Sequence, residues 1–505
     1  MKVNQNISAV ISNAHLHRTE DKLAASIQRL SSGYKINSAK DSPSGMAISN
    51  KMRAQIDALD QSTENASDGI SVIQTADGAL TETHAILQRM RELSVQAATD
   101  SMTPADKEAC QAEISQLQKE IDRIAGDTEF NSKIILDGSQ DTRVYPSIDN
   151  RLVSSSIRNF QTSDEVSAAN YSFKIIQAPE QASMTVKNLS GGQKVTLNGA
   201  TIEIPKNATD DEIYAMVRDQ AEMVGVTVER QGTDEMKLTS IGYGSDEKID
   251  FSVVGADGSS AIGTGGSSVT ITIKGVVITS AADFIDKPPV GKDAVIELGR
   301  EGSTLTPAGG TPVDITEGFS NTATYLSDGQ KVTITDKNGF EMVFKIDPSQ
   351  NEDLAKMNDA LPKPEYIVDL EVTDLGDMTL QVGAHENQTI DVRIPAVNCE
   401  TLYIDDINVI RTGGADKAMA ALDLAIEQVS KVRSRLGAYQ NRLEYAVSSL
   451  EGTTENMESA ISRIMDTDMA EEMSEYSNMN VLDQAAISVL SQANDLPQQI
   501  LQMLG

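Results

Sequence analysis

A chain of 505 residues has room for roughly two to four domains. Its formal net charge of −33 excludes the basic footprint that nucleic acid or an anionic membrane surface demands. Two cysteines, Cys110 and Cys399, supply neither a disulfide framework nor a metal-ligand spacing, and two free thiols are expected over a single bridge. With no tryptophan and 4% aromatics, the packing should be elongated and lined by Ala, Leu and Ile. The opening MKVNQNISAV lacks the apolar core of a secretory signal, and no run of 18 apolar residues exists. The reading is a chain that inserts in no membrane and is cytosolic or leaves by a route without a cleaved signal.

The first arm carries an apolar stripe with helical spacing. Val3, Ile7, Val10 and Ala14 step by four, three and four, and Leu23, Ile27, Leu30 and Tyr34 repeat this after a slip. The segment NSAKDSPSG, Asn37–Gly45, breaks the pattern, with Ser42 as N-cap and Pro43 at the first position of the next helix. That helix runs from about Met46 to Ala98, with its seam on Met52, Ile56, Leu59, Ala66, Ile70, Ile73 and Leu80, then on Ile86, Met90, Leu93 and Ala97. Thr103-Pro104 opens another helix carrying Ile114, Leu117, Ile121 and Ile124, and Gly126 is placed to end it.

Between about Gln140 and Met378 the composition shifts to Val, Thr, Ile and Gly with strand alternation. LSGGQKVT (Leu189–Thr196) and LSDGQKVT (Leu326–Thr333) form an internal repeat, each followed by an Asn-Gly and a second alternating strand. A short helix is expected after each, the first capped by Thr209 with Glu212. Two hairpin-plus-helix modules follow, with Gly255–Ser268 as a flexible joint. Strand signal continues through Leu380–Val409. Gly413-Gly414 then opens a ladder through Leu422, Ile426, Val429, Leu436, Leu443, Val447, Leu450, Met457, Ile461 and Ile464, interrupted by acids over Met465–Tyr476. The final stretch, Asn478–Gly505, has no Lys or Arg and places Met479, Leu482, Ala486, Val489, Ala493, Leu496, Ile500 and Met503 on one heptad seam.

No catalytic set can be nominated. His385-Glu386 begins an HExxH zinc motif, but the fifth position is Thr389; Gly263–Gly266 lacks a following Lys-Ser/Thr. No enzyme, metal or cofactor is expected. Matching seams at the two ends should pair with each other. A two-helix layer leaves much of each apolar face wet, so the arms should be marginal alone and fold as chains pack together.

The fold class is therefore α+β: a long antiparallel coiled-coil-like helical bundle from the N- and C-terminal segments, with a β-rich insert. The expected division is terminal arms at 1–41 and 466–505, and a helical layer with a β-hairpin at 42–140 and 378–465. The insert is expected at 141–377, in two modules of about 141–262 and 263–377.

The segments LSSGYKINSAKDSPSGMAIS, LQRMRELSVQAA, EIDRIAGDTEFN, LGAYQNRLEYAVSSL, SRIMDTDMAEEM and SVLSQANDLPQQILQMLG resemble bacterial flagellin, the filament subunit. Lys194–Val253 is similar to the flagellin/hook-associated insert motif. The resemblance implies a homopolymer whose inner tube is built by the arms, through Val3, Ile7, Val10, Leu23, Ile27, Leu30, Leu482, Val489, Leu496, Ile500 and Met503. It implies type III export to an extracellular flagellum, an export chaperone on the C-terminal arm, and filament-cap and hook-junction proteins as further partners. It also implies contact between the helical layer and the flagellin-sensing Toll-like receptor (Toll-like receptor 5) at Gln88, Arg89, Glu92, Leu93, Gln96 and Glu113. The alternatives are a hook–filament junction protein of the same superfamily, or a flagellin whose insert is an adhesin. The sequence departs from the pattern at Pro43, where small residues are commoner. It departs again in the long insert separating LDGS from QVGAHENQTIDVRI, so the geometry of the insert is the least predictable part.

Overall fold

In the computed structural model the capping residues set the helix boundaries. Residues 6–99, 101–148, 151–152, 156–163, 165–232, 234–255, 270–273, 276–278, 289–307, 312–337, 339–358, 364–373 and 376–504 are described. The helices are α1 (Ile7–Ser32), α2 (Pro43–Ala97), α3 (Pro104–Asp127), α4 (Asp210–Met223), α5 (Glu352–Lys356), α6 (Gly414–Met465) and α7 (Met469–Leu504). Asn6 Oδ1 accepts from Ala9 N at 3.2 Å, the Ser42 hydroxyl from Gly45 N at 3.2 Å, and the Thr103 hydroxyl from Asp106 N at 3.3 Å. The Glu212 carboxylate accepts from Thr209 N at 2.8 Å to open α4.

Three boundaries differ from expectation. Gly126 does not end α3, which continues to Asp127; the Thr128 hydroxyl then takes the Ile124 carbonyl at 2.6 Å. The acidic interruption shrinks to Asp466–Asp468, because the Asp468 carboxylate accepts from Ala470 N at 2.9 Å and restarts the helix. The strand signal over Leu380–Val409 yields only a hairpin of Met378–Gln381 and Thr389–Val392. Its remainder folds as turns that bury Val397, Cys399, Leu402, Ile404 and Val409. Side chains of α3 take their backbone groups instead of a sheet: Gln118 Nε2 donates to Ile404 O at 2.5 Å, and Gln111 Oε1 accepts from Val409 N at 2.7 Å.

The chain divides into two units. One holds residues 1–71, 380–390 and 440–505. In it α1 and α7 run antiparallel, and their connecting segments pair where Lys35 N donates to Met465 O at 2.7 Å and Thr467 N to Gly33 O at 2.9 Å. The hairpin of Met378–Gln381 and Thr389–Val392 also meets α2, where Asn65 Nδ2 donates to Gln381 O at 3.2 Å.

The other unit holds residues 72–379 and 391–439. Its helical part buries Leu80, Leu87, Met90, Ile114, Ile121, Leu422, Val429 and Leu436. Its β part has two cores. Strands β3 (Arg143–Ile148), β6 (Asn170–Gln177), β15 (Val295–Leu298) and β21 (Tyr366–Thr373) share a sheet in the order β15-β6-β21-β3, closed by β4 (Arg151–Leu152). It packs against β18 (Thr324–Asp328), β19 (Lys331–Thr335), β20 (Glu341–Ile346) and β5 (Ile157–Thr162) around Phe173, Phe319 and Phe344. The second core joins β7 (Gln181–Lys187), β8 (Lys194–Leu197), β9 (Ala200–Glu203), β10 (Val226–Arg230), β11 (Glu235–Tyr243) and β12 (Phe251–Val254) with α4. The modules are thus nested rather than consecutive, the second core being strung between β6 and β15. The repeat survives in its packing: Val195 and Val332, and Leu197 and Ile334, are fully buried at matching positions. Its leading leucines diverge, Leu189 lying in a loop and buried in the second core, and Leu326 exposed on an edge strand. Residues 256–268 of the expected joint lie outside the described residues.

Candidate assembly surface

The arm pair is built from a heptad that mixes small and polar side chains with leucines, and that the β-branched apolar residues do not occupy. On α1 the positions turned inward are Ala9, Ser12, Leu16, Thr19, Leu23, Ser26 and Leu30; on α7 they are Tyr476, Met479, Asp483, Ala486, Leu490 and Ala493. Steps of three and four put each set on one face. About half of these side chains are small or polar. Leu23 and Leu30 of the expected set do enter the seam. Ile7, Val10 and Ile27 do not: they are 64%, 68% and 48% exposed. Leu482 and Val489 likewise stay outside at 54% and 53%, joined by Ile11, Val481 and Ile487. The apolar ladder and the small-residue ladder run on neighbouring heptad positions, and the small one permits close backbone approach. Val3 lies outside the described residues, as do the side chains of Leu496, Ile500 and Met503, whose backbone belongs to α7.

Register in this pair is fixed by polar contacts. Arg29 donates from Nε and Nη2 to the two carboxylate oxygens of Glu472 at 2.9 and 2.8 Å, and Asn6 Nδ2 donates to Ala493 O at 2.8 Å. The Arg29 hydrogen bond holds the Glu472 carboxyl below its ordinary range against the opposing effect of burial. Neither residue is on the hydrophobic stripe, so apolar periodicity alone missed them; their signal is opposite charge at mirrored distances from the chain ends.

In the second unit Arg89 of α2 donates from Nε and Nη2 to Glu113 of α3 at 3.0 and 2.8 Å, and from Nη1 to Glu92 at 3.3 Å. Gln88 shares a 3.0 Å contact with His84, and Gln88, Arg89, Glu92, Gln96 and Glu113 are all exposed. Leu93 is not among them. It is 2% exposed and packs inward with Met90 and Ala97, the heptad neighbours that the spacing assigns to the same seam.

The N-terminal 3–141 match the model of the bacterial flagellin N-terminal helical region, and 419–504 match that of the C-terminal helical region. A flagellin of Clostridium tyrobutyricum is 31% identical over 508 residues, covering 99% of this chain and 100% of that one. The chain belongs to the bacterial flagellin family. A flagellin of Salmonella muenchen is 31% identical over 532 residues, covering 99% of each chain, and flagellin D of Vibrio anguillarum is 29% identical over 509, covering 100% of each. Flagellins are structural subunits of the flagellar filament. Among the described residues of this flagellin, no helix is long and apolar enough to cross a membrane.

The flagellin chain enters and leaves its β insert through a buried ion cluster. Arg393 Nε donates to Asp377 Oδ2 at 2.7 Å, and Asp141, beside Arg435, is buried next to them. Burial pushes the Asp141 carboxyl up to about 6, only partly offset by Arg435. Both thiols are free and buried. Cys399 Sγ donates to Gln118 O at 3.2 Å, a point about 12 Å along α3 from Cys110, too far for a bridge. Burial, then Asp122, pushes the Cys399 thiol well above its ordinary range.

Proposed function

We propose that this flagellin polymerises into the filament by docking the outward apolar faces of its two arms against neighbouring copies. The observation that carries this reading is the exposure of Ile7, Val10, Ile11, Val481, Leu482, Ile487 and Val489 outside a seam that mixes small and polar side chains with leucines. Burying one such side chain is worth about 1.5–3 kcal/mol, and every subunit added to a filament buries the set again. Polymerisation is therefore far more cooperative than pairing within one chain. Leu482→Asp and Val489→Asp test it. Seeded growth followed by sedimentation and electron microscopy should fail in each, while the helical circular dichroism of the monomer is retained. Filaments of ordinary length from the double variant would refute the reading.

The same reading takes the chain out of the cell by the flagellar type III route and puts it in the extracellular flagellum. An export chaperone covers the C-terminal arm beforehand, and cap and hook-junction proteins bound the polymer at its ends. Exposure of Gln88, Arg89, Glu92, Gln96 and Glu113 on one face of the helical layer supports a second role, contact with the flagellin-sensing Toll-like receptor. In that role Leu93 acts from beneath, by holding α2 in place.

A further inference from the structure

Lys331 of β19 and Lys345 of β20 stand directly opposite each other in the antiparallel ladder. Val332, Ile334, Phe344 and Ile346 turn into the core, so both lysines are sent to the other face of the sheet. Like charges in this position destabilise a strand pair. Neither ammonium group has a hydrogen bond or an ion pair among the described residues, although Asp328 and Glu341 act on Lys331, and Asp405 on Lys345, at longer range. Lys331 instead lies over the Tyr403 ring, 4.7 Å from its centroid. Burial lowers its pKa, opposed by Asp328 and Glu341 and reinforced by Lys431.

Both lysines line a crevice of about 320 Å³, which Tyr243, Gln330, Leu424 and Gln428 also border. Here β11 of one insert core, the β18–β19 turn of the other, the 402–406 turn and α6 come together within one unit. Crevices of this size at junctions between structural parts, with apolar walls and a few convergent polar groups, are where small ligands bind. Asp328 and Asp406 also line it. The large negative charge elsewhere is screened beyond about 8 Å at physiological salt, so the local groups decide what enters.

We propose that Lys331 and Lys345 form a binding site for a small oxyanion, a phosphate or carboxylate group seated between the two ammonium groups, with Gln330, Gln428 and Tyr243 available to the rest of its carrier. A bound oxyanion would neutralise the lysine pair at contact distance, which none of the surrounding carboxylates does among the described residues.

The test uses the full-length monomer, titrated with inorganic phosphate and separately with acetate, at ionic strength held constant with chloride. Backbone amide shifts of residues 331, 345 and 403 are read by NMR. Saturable shifts are expected, and Lys345→Met or Lys331→Met should weaken binding about tenfold, the loss of one charge-assisted hydrogen bond. Lys345→Arg should restore it, and Lys345→Gln serves where the methionine variant does not fold. Response to acetate alone assigns the site to carboxylates, and to phosphate alone to phosphates. Absence of saturation with both, or affinity in Lys331→Gln and Lys345→Gln unchanged from that of the unsubstituted chain, overturns the proposal.

Discussion

Arg29 and Glu472 clasp each other through two parallel hydrogen bonds, joining residues 443 apart in the chain. The pair lies beside Ser26, which is fully buried, at the inner end of the α1–α7 seam. Because about half of that seam is small or polar, much of the pairing specificity rests here.

Glu472→Gln should therefore weaken the arm pair by about 1.5–3 kcal/mol, the range for hydrogen bonds to charged groups. Hydrogen exchange around Ser26 and Met473 is the measurement, and the exchange Arg29→Glu with Glu472→Arg should recover part of the protection. The Glu472 carboxyl is held below its unfolded value, so its contribution is present above that value and lost as pH falls through the depressed folded one. Protection should drop only on strong acidification. Full protection of Glu472→Gln at neutral pH would show that the seam sets register without the pair.

Asp141 has the opposite sign. Folding raises its carboxyl to about 6, so the folded chain binds the proton more tightly than the unfolded chain does. Its contribution is fully present below the unfolded value and is lost as pH rises through about 6. Asp141→Asn keeps an oxygen for the 2.9 Å hydrogen bond from Thr142 N and removes the buried charge. At pH above 7 it should stabilise the insert by about 2–3 kcal/mol, a gain that fades toward pH 4. Denaturant unfolding of both proteins across that range gives the difference directly. A constant or negative difference would place the ionised carboxylate among the groups that hold the insert root together.

The two kinds of residue at the α2–α3 face separate cleanly. Arg89→Ala with Glu113→Ala removes an exposed pair, so monomer stability should be nearly unchanged while binding of the receptor ectodomain weakens. Leu93→Ala opens a cavity under the same face and should cost about 2–5 kcal/mol in unfolding free energy. Pull-down beside thermal unfolding distinguishes them. Unchanged receptor binding by the Arg89/Glu113 double variant would remove these residues from the contact.

Heptad spacing made the long helices legible because burial there follows period alone: Leu422, Val429, Leu436, Leu443 and Leu450 are all inside. It misplaced the arm seam because Ala9, Ser12, Thr19 and Ser26 carry no hydrophobic signal, although backbones approach most readily over small side chains. It could not show that the insert modules are nested. Pairing of β5 with β20, such as Ile157 with Ile346, spans nearly the whole insert, and no local pattern specifies so distant a partner. Strand alternation over 394–409 was satisfied by Gln111 and Gln118 of α3 rather than by a second strand, a tertiary choice that the segment does not encode. The candidate surface divided the same way. Arg89 and Glu113 were identified through a motif and do lie together, while Leu93 shares the motif and faces the core.

The joint between the two insert cores is tightly constrained. Asp293 accepts from Ser245 N at 2.9 Å, the Ser245 hydroxyl at 2.6 Å and Gly329 N at 3.0 Å, tying the end of β11 to the β18–β19 turn. Gly244 passes through this knot with φ +114°, and a Cβ there would stand 2.7 Å from Asp293 Oδ1 and 2.8 Å from Gly329 Cα. Gly244→Ala meets backbone strain of about 1–3 kcal/mol together with a collision against another glycine's backbone, which cannot rotate away. Gly199→Ala provides the control. Its φ of +85° carries the conformational cost of about 1–2 kcal/mol, but open space surrounds the added methyl. Thermal unfolding should therefore place Gly244→Ala well below Gly199→Ala in stability, and Asp293→Ala should lower stability without the collision. Equal loss in the two glycine variants would mean that the knot yields to accommodate the methyl, and that the two cores are held together elsewhere.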